Sequence, residues 1–151
     1  LSDDGTFYLV DGFADGVSLS EVRFPSEYDG KPVKGISNGM KFYGNTDITS
    51  VVCPSSFEIL GDNAFYGCTN LESVTLNEGL KEIGQNAFRD CEKLKSVTVP
   101  FSVEIIKSGA FRGCDALTIT CERTQEQIPA TWDSNWNQDD CPVIWKDESE
   151  S

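Results

Sequence analysis

Apolar and polar positions alternate along this chain on a fixed beat. Ala64-Phe65-Tyr66-Gly67-Cys68-Thr69-Asn70-Leu71 recurs as Ala87-Phe88-Arg89-Asp90-Cys91-Glu92-Lys93-Leu94, and again as Ala110-Phe111-Arg112-Gly113-Cys114-Asp115-Ala116-Leu117. The Ala, Phe, Cys and Leu positions each advance by 23 residues at both steps. Four positions held in register through three copies mark an internal repeat, the signature of stacked supersecondary units. Further columns keep the same step: Val51, Val74 and Val97; Cys53, Leu76 and Val99; Leu60, Ile83 and Ile106; and Phe42 before Phe65. A longer first turn begins at Leu19, where Leu19-Ser20-Glu21-Val22-Arg23-Phe24 matches Leu71-Glu72-Ser73-Val74-Thr75-Leu76. Its excess length is placed in the loop around Pro25 and Pro32.

One unit predicts one coil. Leu71-x-x-Val74-x-Leu76 reads as a short strand with apolar residues inward and Thr75 outward. Pro54 and Pro100 end strands, because proline has no N–H for a ladder. Leu80-Lys81-Glu82-Ile83 follows as a second extended piece, Gly61 and Gly84 allow a sharp corner, and Asn63-Ala64-Phe65 is predicted to make a short helical turn. A single coil cannot bury its own apolar side, so several must stack.

The unit Ile83-Gly84-Gln85-Asn86-Ala87-Phe88 through Val99-Pro100 resembles the BspA-type leucine-rich repeat family, and Tyr28 to Ile36 is similar to that family's opening module. The resemblance spans residues 19–121. It implies a leucine-rich-repeat right-handed solenoid of the α/β class, strand-dominated, with 23-residue coils that each carry short parallel strands and a short helical turn, capped at both ends. Two departures stand out. Met40, Lys41 and Asn45 replace the usual Asn, Ala and Cys, predicting a looser first full coil, and Lys107 replaces a corner glycine. The chain is read as a single domain, with an N-terminal cap over 1–18, repeats over 19–121, a C-terminal cap over 122–145 and a tail over 146–151. In the first cap, Phe7 to Val10 reads as a strand with Phe13, Val17 and Leu19 packed beneath it. In the second, Trp132, Trp136 and Trp145 read as a lid on the last coil or as an aromatic platform for sugar rings.

Composition narrows the chemistry. The chain has no histidine, which removes Ser–His and Cys–His nucleophile pairs and any histidine zinc site. A net charge of −13 over 151 residues repels phosphate backbones and anionic membrane surfaces, so no nucleic acid is expected as partner. No run reaches the ~18 apolar residues of a membrane helix, so no membrane insertion is expected. The acids alternate with lysines in their columns (Glu58, Lys81, Glu104; Thr49, Glu72, Lys95) and read as solvated positions, as do Asp3-Asp4 and Asp139-Asp140, which lack a calcium loop. No catalytic residue, cofactor or metal site is therefore assigned.

Six cysteines remain. Cys68, Cys91 and Cys114 share one inward column and Cys53 takes an inward strand position, so these four read as buried small hydrophobes. Cys121 and Cys141, outside the repeat, are the one candidate disulfide. The candidate binding face is the outward strand column Val52, Thr75 and Thr98, flanked by Ser50, Ser73 and Ser96. Concave solenoid faces serve as extended binding surfaces. The family resemblance implies a non-catalytic protein-binding or adhesion module, secreted or on the cell surface, with partners that include host proteins. A carbohydrate-binding module using the C-terminal tryptophans, or a passive spacer, are the alternatives. The chain, opening Leu1-Ser2-Asp3-Asp4, is expected to be a monomeric mature fragment that has lost its signal peptide.

Overall fold

The computed structural model describes residues 1–14 and 19–147. The expected packing of Val17 and most of the tail lie outside these residues.

Among the described residues twelve short strands build two sheets, parallel except for β3. One sheet takes β1 (Tyr8–Val10), β4 (Lys31–Ile36), β6 (Ile59–Leu60), β8 (Glu82–Ile83) and β10 (Ile105–Ile106), with β3 (Glu27–Tyr28) antiparallel against β4. The other runs β2 (Glu21–Arg23), β5 (Ser50–Val52), β7 (Ser73–Thr75), β9 (Ser96–Val99), β11 (Thr118–Cys121) and β12 (Val143–Trp145). Each coil gives one strand to each sheet, so successive coils hydrogen-bond as neighbours and the chain forms a parallel β-solenoid. Register follows the repeat: Val51 faces Val74, Leu60 faces Ile83, and Val22 faces Val51 across the long first turn.

The expected helical turn at Ala64-Phe65 forms instead as a third hydrogen-bonded ladder. Alternate amides point to the next coil: Asn63 N–H donates to the Gln85 carbonyl, Phe65 to Ala87 and Gly67 to Arg89, each at 2.8 Å. The amides between them bond within the coil, Ala64 to Gly61 and Tyr66 to Asn63. Half the donors are thus committed outward, and no helix can propagate. The alternation depends on left-handed backbone at Asn63 (φ 60°), Asn86 (φ 53°) and Gly109 (φ 67°), residue types that tolerate it. Gly61 and Gly84 keep ordinary φ. They are glycine for want of space: a Cβ there would lie 2.5 Å from the Ser37 carbonyl carbon and 2.6 Å from the Asp62 nitrogen of the previous coil.

Side-chain columns fill the interior. Phe42, Phe65, Phe88 and Phe111 stack with centroids 5.3, 5.6 and 5.7 Å apart and planes within 13° of parallel. Phe13 closes this stack edge-on at one end and Trp136 at the other. Beside it, each cysteine thiol donates to a carbonyl one coil back: Cys68 to Phe42, Cys91 to Phe65 and Cys114 to Phe88, at 3.0 to 3.3 Å. Leu19 departs from its column. It is 45% exposed where Ile48, Leu71 and Leu94 are fully buried, because the first coil has no earlier coil to cover it.

Two sequence departures acquire physical reasons. In the first full coil Met40 and Tyr43 are more than half exposed while Phe42 holds the stack, and Lys41 pairs with Asp11 of the N-terminal segment. Lys107, in the corner-glycine column, reaches Glu82 (2.7 Å) and, past the coil that carries Gly84, Asp62 (3.2 Å). Those two carboxylates, Glu82 foremost, raise the pKa of the ammonium.

The Cys121–Cys141 bridge does not form. All six cysteines are free and buried. Cys121 pairs in register with Trp145 and Ile119 with Val143, which sets Cys141 about four residues up the ladder from Cys121. At ~3.3 Å per residue that is roughly 13 Å, well past the ~7 Å limit for a disulfide. Cys141 instead prolongs the cysteine column, its thiol 3.7 Å from the Cys114 carbonyl.

A buried arginine fastens the segment that follows β11. Arg123, 4% exposed, follows β11 and precedes the 3-10 turn Gln125–Gln127. Its guanidinium lies between the rings of Phe101 and Trp132, 4.9 and 5.1 Å from their centroids. It donates to the carbonyls of Gln127, Phe101 and Val103. Trp132 adds an indole N–H to the same Val103 carbonyl at 3.3 Å.

Candidate binding face

The outward side chains of β5, β7, β9 and β11 stand in two straight rows, since a strand sends alternate residues to opposite faces. Val52 and Thr75 are neighbours in register, as are Ser50 and Ser73, and Ser73 and Ser96. Val51, Val74 and Val97 point inward between the rows and are buried. Ser73, Thr75, Ser96 and Thr98 are exposed.

The face is longer than the repeat alone indicated. Thr98 pairs with Thr120 and Ser96 with Thr118, and Thr120 then pairs with Ile144. The last step is one residue short of the 23-residue beat, so counting by 23 lands on inward Ile119 and Cys121 instead. The pattern Ser-x-Thr, Ser-x-Thr, Thr-x-Thr across β7, β9 and β11 was the signal that could have found it. At the other end Arg23 sits level with Val52 and Glu21 with Ser50. The middle is small, hydroxylated and flat; the ends carry Arg23 and Ile144.

Charged residues lie at the margins. Glu72 and Lys95 pair at 3.3 Å along the upstream edge. Downstream, two hollows open beside the rows. One, about 280 Å³, is lined by Thr120, Glu122, Ile144, Trp145 and neighbouring residues. The other, about 360 Å³, is lined by Leu76, Asn77, Glu78, Thr98, Pro100 and Glu122. Sequence reading missed both, because their walls join column residues such as Leu76 and Thr98 to residues such as Glu78 and Glu122 that no column places.

The face offers hydrogen-bond donors and acceptors. Burial pushes the thiols of Cys53, Cys68 and Cys121 up to about 12, so these sulfurs stay protonated and inert. Among the described residues no group of three or more Cys, Asp or Glu side chains could hold a metal ion. Of the three tryptophans, Trp132 is buried and Trp136 packs edge-on against Phe111 and Trp132. Trp145 lines the ~280 Å³ hollow.

Several solved bacterial structures share this architecture. A leucine-rich repeat protein from Bacteroides capillosus is 31% identical, with a TM-score of 0.68, over 81% of this chain and 91% of that one. The Treponema pallidum leucine-rich repeat protein is 32% identical, with a TM-score of 0.57, over 80% of this chain and 66% of that one. A leucine-rich cell surface protein from Faecalibacterium prausnitzii shares the fold at 24% identity and a TM-score of 0.55, over 81% of this chain and 42% of that one. No curated protein matches the chain in sequence. Six copies of the BspA-type leucine-rich repeat region match across residues 11–132. The chain therefore belongs to the BspA-type leucine-rich repeat family.

Proposed function

We propose that the chain is a non-catalytic module that binds protein through the Ser/Thr face of the sheet that runs from β2 to β12. One observation carries this reading: outward Ser and Thr rows run in register from β5 to β11 with no acid–base or nucleophile–base pair between them. Such a face offers hydroxyls along an extended, pre-ordered surface, which lowers the ordering cost of association. The adhesion role, with host proteins among the partners, rests on the family.

A secreted or cell-surface location fits the same picture. The Faecalibacterium prausnitzii protein is described as a cell surface protein, and no described helix here is long and apolar enough to cross a membrane. Monomeric behaviour fits a ring stack closed edge-on at both ends. A glycan platform of three tryptophans gains no support, since Trp132 is buried and Trp136 packs edge-on against Phe111 and Trp132.

The test is affinity capture from extracellular-protein extracts using the immobilised chain and its Ser73→Arg variant. A partner retained by the parent and lost by the variant supports the reading. Identical capture by both removes the face from consideration, and no saturable partner at all supports a passive spacer.

A further inference from the structure

The ~360 Å³ hollow on the downstream margin has the chemistry of a side-chain socket. Leu76 and Pro100 make an apolar part of its wall. Thr98 and Asn77 add polar groups, and the amide of Asn77 is already committed to the Cys53 carbonyl at 2.5 Å. Two carboxylates, Glu78 and Glu122, are its charged lining, and no lysine or arginine lines it. Glu78 is fixed in place: its oxygens accept from the backbone amides of Phe101 (2.9 Å) and Ser102 (3.2 Å). Glu122 is exposed and also lines the neighbouring hollow with Lys146, and among the described residues it forms no ion pair. Arg123 lies close enough to Glu78 for their charges to interact, while its guanidinium bonds backbone carbonyls and lies against the Phe101 and Trp132 rings, which leaves Glu122 as the uncommitted carboxylate. The hollow opens beside Thr98, in the outward row of the binding face, so an occupant would continue a ligand lying on that face.

We propose that this hollow receives a lysine or arginine side chain of the bound protein, its methylenes against Leu76 and Pro100 and its charge between Glu78 and Glu122. The fit is one of charge and shape. A long basic side chain buries its aliphatic stem while keeping its charged end at polar groups. The chain's net charge of −13 draws basic segments toward it at long range. The hollow adds a local seat, where a carboxylate uncommitted to any protein cation is free to pair. This inference rests on the binding-face reading and names the chemistry of the partner at one point of it.

Fluorescein-labelled hexalysine is the probe, with binding to the full chain followed by anisotropy at 0.15 M salt. Non-specific attraction to an acidic protein responds equally to any lost carboxylate. Glu122→Gln is therefore compared with Glu92→Gln, an equal charge change at an exposed turn position away from the hollow. The proposal expects saturable binding that weakens at least fivefold in Glu122→Gln and less than twofold in Glu92→Gln. A second variant, Thr98→Leu, fills the mouth without changing charge and should weaken binding comparably. Equal effects of the two Glu→Gln changes, or no saturable binding, overturns the proposal. Ser73→Arg, outside the hollow, judges the face separately: a partner lost with Ser73→Arg but indifferent to Glu122→Gln leaves the face standing and removes the socket.

Discussion

The rings of Phe88 and Phe111 lie 5.7 Å apart and within 2° of parallel. Their offset is set by the coil-to-coil hydrogen bond from Phe88 N–H to the Ala110 carbonyl at 2.8 Å, so backbone ladder and ring stack fix each other. Phe88 is fully buried between two like neighbours. Phe88→Ala leaves a cavity that the stacked coils cannot close, and should cost about 3–5 kcal/mol. Chemical denaturation checks this. A loss below 1 kcal/mol would mean that the column does not hold the coils together.

Arg123 should matter more than any surface ion pair. Arg123→Met keeps bulk but leaves the carbonyls of Phe101, Val103 and Gln127 without their shared donor. The expected cost is about 2–3 kcal/mol, the range for hydrogen bonds to a charged group. Hydrogen exchange should show protection lost first over residues 124–132, with β5 and β7 unchanged.

Glu58 provides the contrast. It meets Lys34 at 2.9 Å and Lys81 at 3.3 Å, and the Lys34 contact is the first cause of its lowered pKa. Its side chain is about a third exposed, so solvent screens the pair. Glu58→Gln should cost under ~1 kcal/mol. What stability the carboxylate gives is present above its unfolded pKa and fades as pH falls through the depressed folded value, so the two proteins should converge at acid pH. Parallel melts at pH 7 and pH 3 test this.

The cysteines predict an alkaline limit. The thiols of Cys53, Cys68 and Cys121 move from 9.0 in the open chain to about 12 when folded. A neutral acid whose folded pKa is raised gives stability below pH 9, and loses it as pH climbs toward 12. Melting temperature should fall steeply over that window and less steeply in Cys53→Ala. At pH 8 a thiol reagent should find no reactive cysteine in the native protein and six after denaturation. Four titratable thiols after denaturation would restore the expected Cys121–Cys141 bridge.

Gly35 tests the close approaches between coils. It sits in β4 at φ 153°, and an added Cβ would fall 1.9 Å from the Ile59 carbonyl oxygen. Gly35→Ala must push two hydrogen-bonded strands apart and should destabilise by several kcal/mol, within the range for overpacking at a backbone contact. A melt that matches the parent would mean the strands part easily at that point.

The architecture was readable because each coil repeats the same physical problem with the same residues: Phe65, Phe88 and Phe111 announce their depth by spacing alone. What escaped was set by neighbours instead of by period. Thr120 was missed because the last coil is one residue short. The turn at Ala64-Phe65 looked helical because its i to i−3 bonds are real, while the intervening amides serve a coil that sequence alone does not place. Cys141 was assigned to a bridge because its column continues through an irregular loop. Leu19 carries a core residue's identity at a position where stacking has not yet begun. The Glu78–Glu122 hollow had no signature, since Glu78 shares its repeat position with Phe101.

Identical rings layered in register along parallel strands are also the arrangement of an amyloid fibril, where every layer templates the next without end. Phe13 and Trp136 meet the outermost phenylalanines at 74° and 81°. A ring turned sideways offers an incoming copy no flat surface to lie upon. Those two side chains interrupt the flat stacking at both ends of the column.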